Sequence, residues 1–341
     1  MAVTGNGYAN TARAQAGHVV AKSLMTAQPV VILDKFMKSI PMPQHEGEKI
    51  FFRRANLLAP ATTPILEGDA NPSPKALTYA RIEATPSYYG DIIQFNDVVT
   101  DLIDDPILTD MAEIMGTQIA ETKEAINFGI LKAGTNKFYD TSAHTLRTDV
   151  DATVAGPRFS SILRQLQRNK ARPITKVLKS TQNYGTQSVD ASFVAFGHTD
   201  LLKDLEALAG FKKVADYGGS DTVSPHEVGS LGRFRFVLSP EYAPYADAGG
   251  DPTTNGLVTT SGGAPGQADV YPIVILGMDS CATIPLAGRS AIKPTIIRPD
   301  VLEKTDPLGR MGVCAWKIAC TAVRTNELWM AVLEVGCSVD S

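Results

Sequence analysis

Cysteine is scarce in this 341-residue chain: Cys281, Cys314, Cys320 and Cys337 are the only four, and no two form a C-x-x-C pair. That excludes a disulfide-built scaffold and makes a reducing compartment the default. An excess of one charge is also lacking. Lys+Arg number 32 and Asp+Glu 36, a net −4, which argues against a protein that coats nucleic acid over its whole surface. Long apolar runs are missing. Val19–Leu33 is interrupted by Lys22, Gln28 and Pro29, and Tyr271–Met278 falls far short of the roughly 20 residues that span a bilayer. Met1–Gly17 carries only Arg13 and no apolar stretch, so no signal peptide is expected. The expectation is a soluble chain made in the cytosol, without a membrane partner.

Catalytic signatures are equally sparse. There is no G-x-x-x-x-G-K-[ST] phosphate loop, no G-x-G-x-x-G and no G-x-S-x-G elbow. Ser290-Ala291-Ile292-Lys293 fits S-x-x-K, but it precedes Pro294 in a strand-like stretch and has no S-D-N or K-T-G partner, which reads as chance. None of His18, His45, His144, His198 and His226 has a His or Cys partner at metal-ligand spacing. Asp149 and Asp151 lack the Gly and Glu of a calcium loop. His198-Thr199-Asp200 sits at a strand-to-helix junction, where a His/Asp pair can do acid–base work or Asp200 can simply be a first-turn acid. Cys314 and Cys320, six apart, would face one side of a strand yet lie too far apart to bond. No catalytic, cofactor or metal residue is assigned, and an enzyme is not expected.

What is present is ordered and loop-rich. Hydrophobic residues make up 44% and charged residues 20%, enough for a core and about two domains. The chain has 28 glycines and 21 prolines, about one residue in seven, which points to irregular connections. Residues 1–45 read as a weakly structured arm. Lys49–Arg54 reads as a strand, and Ala59–Pro74 holds four prolines that forbid a helix or a central strand. The chain returns through strand-like Leu77–Glu83 and Tyr88–Asn96, making a long two-stranded excursion with little core of its own.

The clearest helix is 105–134, about 43 Å long. Asp105 would be its N-cap, Pro106 its first residue and Gly134 its stop, with Leu108, Met111, Met115, Ile119, Thr122, Ile126 and Ile130 in one stripe. Seven acids, Glu124 among them, stand against Lys123 and Lys132 over 101–134. The next helix begins near Pro157, lines Phe159, Ile162, Leu163 and Leu166 on one face, and ends by Pro173. From Arg158 to Lys179 there are seven cations and no acid. That segment is either a solvated face lying against the acidic helix or a surface for nucleic acid or a partner. Ser192–Phe196 is a buried-type strand, and Thr199 should cap a helix bearing Leu201, Leu202, Leu205 and Leu208 that ends at Gly210. Further strands are expected at 231–238, 270–276, 291–297, 313–323 and 328–335, with a long loop over 240–269. The pattern is α+β.

That order of parts resembles the major capsid protein of tailed double-stranded DNA bacteriophages, the HK-ninety-seven-like fold. Thr175–Thr181, Phe193–Leu201, Glu227–Val237 and Asp306–Gly312 followed by Trp316-Lys317 are similar to coat proteins of N-four-like short-tailed phages. The resemblance covers about residues 30–340. It implies an N-terminal arm (1–45), an extended β-hairpin loop (46–100), a peripheral domain (101–156 and 286–341) with spine helix 105–134, and an axial domain (157–285). It implies copies assembled as hexamers and pentamers into an icosahedral shell around packaged DNA, within a virion built in the host bacterial cytoplasm. Scaffolding, portal and decoration proteins are the implied partners. Arg53, Arg54, Glu67, Lys75 and Arg81 become candidate intersubunit residues, or else solvated loop charges. Arg158, Arg164, Arg168, Lys170 and Arg172 become a candidate inner or pairing basic surface. An encapsulin-type compartment shell shares the fold, and a hydrolase using His198 and Asp200 is the remaining alternative.

Overall fold

Hydrophobic spacing sends one long helix across two separate sheets, and the other elements are arranged around that bridge. The computed structural model describes residues 31–339 except 44, 46, 65–73, 98–106, 175–190, 218–221, 254, 261–265, 287–294, 298 and 300–306. Its strands are β1 (Lys38–Ser39), β2 (Ile50–Ala55), β3 (Tyr79–Ala84), β4 (Ser87–Asn96), β5 (Lys137–Tyr139), β6 (Phe193–Gly197) and β7 (Phe211–Lys213). They continue with β8 (Glu227–Leu231), β9 (Phe234–Leu238), β10 (Tyr271–Leu276), β11 (Cys281–Pro285), β12 (Thr295–Ile297), β13 (Met311–Arg324) and β14 (Met330–Val335). The helices are α1 (Leu33–Phe36), α2 (Ile107–Lys132), α3 (Gly156–Arg168) and α4 (Leu202–Glu206).

The larger sheet has seven strands in the order β5-β14-β10-β6-β9-β8-β7. Every residue of β6 is buried, as a strand covered on both faces requires. Phe193 and Ala195 pack toward Phe159, Ile162 and Leu166 of α3. Val194 and Phe196 pack the other way, toward Phe128 and Leu131 of α2. Burying each of these large side chains contributes about 1.5–3 kcal/mol.

The second sheet is organised by β13. One edge pairs with β4 over ten residues, Met311–Cys320 against Asn96–Ser87. The other edge takes β12 and β11, and β1 adds to β11 in parallel. The first half of α2 lays Met115 and Ile119 on Cys314, Trp316, Ile318 and Cys320. Cys314 and Cys320 thus share one buried face, and all four cysteines are buried free thiols.

Several expectations are corrected. Residues 32–42 of the expected floppy arm are packed: Ile32, Leu33, Met37 and Met42 are buried, because α1 caps onto α2 and β1 finds an open edge of β11. Asp105 and Pro106 lie outside the described residues, while α2 ends at Lys132, which leaves Gly134 at the C′ position expected of it. The α3 helix ends at Arg168, well before Pro173, where Lys170 turns the chain with φ 55°. His198 rather than Thr199 caps the turn before α4, its Nδ1 accepting from Asp200 N at 3.1 Å. The expected strand at 231–238 begins only at Phe234, because Gly232 turns the chain at φ 61° and pairs β9 antiparallel with β8, which ends at Leu231. The 240–269 loop is tied down by backbone pairing of Tyr245 with Val270 and of Leu257 with Ser338. The larger sheet draws on residues from both sides of 157 and 286, since β5 and β14 pair into it beside β10. Ser290–Lys293 lies outside the described residues.

Candidate assembly surfaces

The β2–β3 ribbon shows how its sequence divides two jobs. In β2, Ile50 and Phe52 alternate with Phe51 and Arg53, and period-two geometry sends the two sets to opposite faces. The inner set, with Ile82 and Ala84 of β3, packs on Met42, Ala282, Ile284 and Val323. The base of the hairpin therefore has a core within its own chain, a correction to the expectation of a two-stranded excursion with little core of its own. Arg54 belongs to this inner face, and its guanidinium donates to Thr325 O at 3.0 Å. On the outer face Arg53 and Arg81 stand directly opposite each other. That like-charge pair is offset diagonally: Arg53 lies 4.4 Å over the Tyr79 ring and Arg81 lies 3.8 Å over the Phe51 ring. Arg81 also contacts Glu83 at 3.4 Å.

Past the paired strands, the ribbon loses its inner partner. Residues 56–64 and 74–78 have no regular structure and are exposed. Leu57, Leu58 and Leu77 are 82%, 55% and 53% exposed, far from any core. Lys75 is exposed beside them, and Glu67 lies outside the described residues.

A second apolar surface lies on the outer side of the smaller sheet. Tyr88 and Ile92 of β4, each 61% exposed, share a face with Ala315 and Val313 of β13 and with Ile297 of β12. The floor is a very close strand contact. A Cβ added at Gly90 would meet Trp316 O at 2.6 Å, so only glycine fits there. Lys317 reaches across the face, its Nζ 4.5 Å from the Tyr88 ring centre.

The basic helix presents a third surface. Arg158 is absorbed locally, donating to Tyr139 O at 2.7 Å. Arg164, Arg168, Lys170 and Arg172 are exposed, and among the described residues none forms an ion pair. Nor do any of them bridge to α2; the acidic helix and the basic helix cover opposite faces of the larger sheet.

Sequence reading missed Glu124. It counts there as one more acid of the long helix, yet it is fully buried. Its Oε1 accepts Ile32 N and Leu33 N at 3.0 Å and the Tyr242 hydroxyl at 2.8 Å, while Oε2 has no partner. Beside it Lys123 pairs with Asp34, and Asn127 donates to Asp34 at 3.1 Å. Burial pushes the Glu124 carboxyl above its ordinary range despite these three donors. The available signal was spacing: Glu124, Phe128 and Leu131 form a second inward row on α2.

The chemical alternatives have local explanations. His198 Nδ1 lies 3.1 Å from both the amide and the carboxylate of Asp200, which also accepts Tyr271 OH at 2.9 Å. Among the described residues no serine, threonine or cysteine bonds that ring. Asp140, His144 and Asp151 come together, a trio that spacing did not suggest. The Asp140 carboxylate is already filled by Thr141 N, Asp151 N, Ala152 N and His144 Nδ1, at 2.6–3.1 Å, so it fastens a loop.

No protein-family model matches the sequence. The major capsid protein of Pseudomonas phage KPP21 is 22% identical over 209 residues, 56% of this chain and 51% of that protein. The chain thus spans about half the length of the curated relative it matches. The capsid structure of Ralstonia phage GP4 superposes with a TM-score of 0.67, at 10% identity, covering 100% of both chains. A subunit of the cyanophage Pam1 capsid gives 0.63 at 13% identity, covering 98% of this chain and 100% of that one. The head structure of Helicobacter pylori bacteriophage KHP40 gives 0.63 at 10%, covering 98% and 97%.

Proposed function

We propose that this chain, which has the α+β fold of tailed-phage capsid subunits in the HK-ninety-seven-like class, is a major capsid protein. Copies assemble as hexamers and pentamers into an icosahedral shell that encloses packaged double-stranded DNA. Its likeness to the KPP21 major capsid protein supports the structural role. The observation that carries the reading is the exposure of Leu57, Leu58 and Leu77, the leucines that flank the paired strands of the ribbon. Exposed apolar side chains clustered on a projecting element mark a protein interface. The face around Tyr88 and Ile92 is a second such surface on the same subunit.

In this reading α2 with the smaller sheet forms the peripheral part, and the larger sheet forms the axial part. Arg53 and Arg81, presented outward on aromatic rings, serve between subunits; Arg54 serves within one. Scaffolding and portal proteins join during assembly in the bacterial cytoplasm. The mechanism is cumulative area: many modest interfaces per copy, multiplied by symmetry. Deleting residues 59–74 tests it. Electron microscopy should show no shells, while circular dichroism and chromatography show a folded subunit. Normal shells from the deletion variant would refute the assignment of the ribbon.

A further inference from the structure

The exposed face of α3 has a charge pattern that the shell reading alone does not explain. No Asp or Glu occurs between Asp151 and Asp190, while seven Lys or Arg do. Packing fixes their direction. Phe159, Ile162 and Leu166 are buried against the larger sheet, so Arg164 and Arg168, one turn apart, point to solvent. Lys170 and Arg172 extend the row past the helix end. Arg233, exposed on the β8–β9 turn, lines a cavity of about 630 Å³ together with Arg164, Ser160 and Ser161. No described acid answers any of the four cations of the row, in a protein of net charge −4.

We propose that this face, Arg164, Arg168, Lys170 and Arg172 with Arg233 at its flank, binds the phosphate backbone of duplex DNA without reading sequence. The chemistry separates this partner from a protein. A protein interface needs apolar or aromatic anchors at its centre. Among the described residues no exposed large apolar side chain belongs to 156–172; Leu328, whose carbonyl accepts from Asn169 Nδ2 at 3.2 Å, stands beside the end of the row. Phosphate binding needs only cations and amide donors, and Gln165 and Gln167 stand exposed among the arginines. The inference rests on the shell reading for its source of DNA, and it places this face toward the shell interior.

Fluorescence anisotropy of a short labelled duplex of arbitrary sequence, titrated with the purified full chain across a salt series, tests it. Each neutralised phosphate contributes a slope of about −0.9 in log K against log salt. Replacing all four row residues (R164Q, R168Q, K170Q, R172Q) should flatten the slope by up to about 3.6 and weaken binding at least tenfold at low salt. A control with equal charge removed elsewhere (K38Q, K49Q, K75Q, K317Q) should keep the wild-type slope within about 1. Circular dichroism checks that both variants fold. An unchanged slope in the row variant would overturn the inference. So would intact DNA binding combined with lost self-association, which would give the face to a second copy. Electron microscopy of the same samples judges the shell reading separately. Shells from a row variant with unchanged DNA binding would sink only this inference, and a wild type that never forms shells would sink the reading beneath it.

Discussion

Replacing Glu124 should expose how the foot of the arm is fastened to the long helix. Among the described residues its Oε1 is the acceptor for three buried donors, Ile32 N, Leu33 N and Tyr242 OH. Glu124→Ala strands all three, and a buried unsatisfied donor costs about 1–3 kcal/mol. Allowing for partial relaxation, the loss should be about 3–5 kcal/mol, at the far end of the range for point mutants. Glu124→Gln keeps the acceptor and removes the charge. Its amide also gains a direction toward the unpartnered Asn127 Oδ1, three residues along the same helix face. The groups facing this site include Asp34 with Lys123, Glu241 and Tyr242, and Lys123 is already paired with Asp34.

The pH dependence has a definite sign. The folded-state pKa of Glu124 lies above its ordinary 4.5, so the native state holds the proton more tightly than the unfolded chain. The stabilisation from Glu124 is therefore fully present below about pH 4.5 and is lost as pH rises through the raised folded value. Urea unfolding from pH 4 to 8 should show Glu124→Gln gaining on the wild type as pH rises. Identical pH profiles for the two proteins, or a Glu124→Ala variant as stable as the wild type, would refute this account.

Three further outcomes follow from the geometry. Glu334 is fully buried between Arg147, at 2.7 and 2.8 Å, and Lys137 at 3.3 Å; Arg147→Ala should cost about 3 kcal/mol in chemical denaturation, the low end for breaking a buried pair because Lys137 remains. Gly90→Val should split β4 from β13, since a Cβ there meets Trp316 O at 2.6 Å; hydrogen exchange should show lost protection along Tyr88–Ile93 and not along β10. Leu57→Ser with Leu58→Ser should leave the melting temperature of the isolated subunit within about 2 °C, because surface changes stay within about 0.5 kcal/mol, while abolishing shells seen by electron microscopy.

Elements whose pattern is local were legible before the structure. The stripe on α2 and the all-buried run of β6 state their own pattern, and the structure reproduces them. Elements defined by partners were not. β5, β7 and β11 are short pieces recruited by neighbouring strands, and nothing within three to five residues announces that. Residues 32–42 were read with the weakly structured arm 1–45, but the acceptor that fastens their start is Glu124, more than ninety residues away. The surfaces divide the same way. The acid-free run beginning at Arg158 is visible in the letters, whereas the opposite orientations of Arg53 and Arg54 depend on which face of the ribbon meets Val323.

The central claim is that this subunit exists to join copies of itself. Sedimentation velocity with negative-stain electron microscopy addresses it directly, on the full chain expressed alone and together with a scaffolding partner. The account predicts discrete capsomers and closed shells in at least the second preparation. A single monomeric species in both, at every concentration and ionic strength, would contradict it.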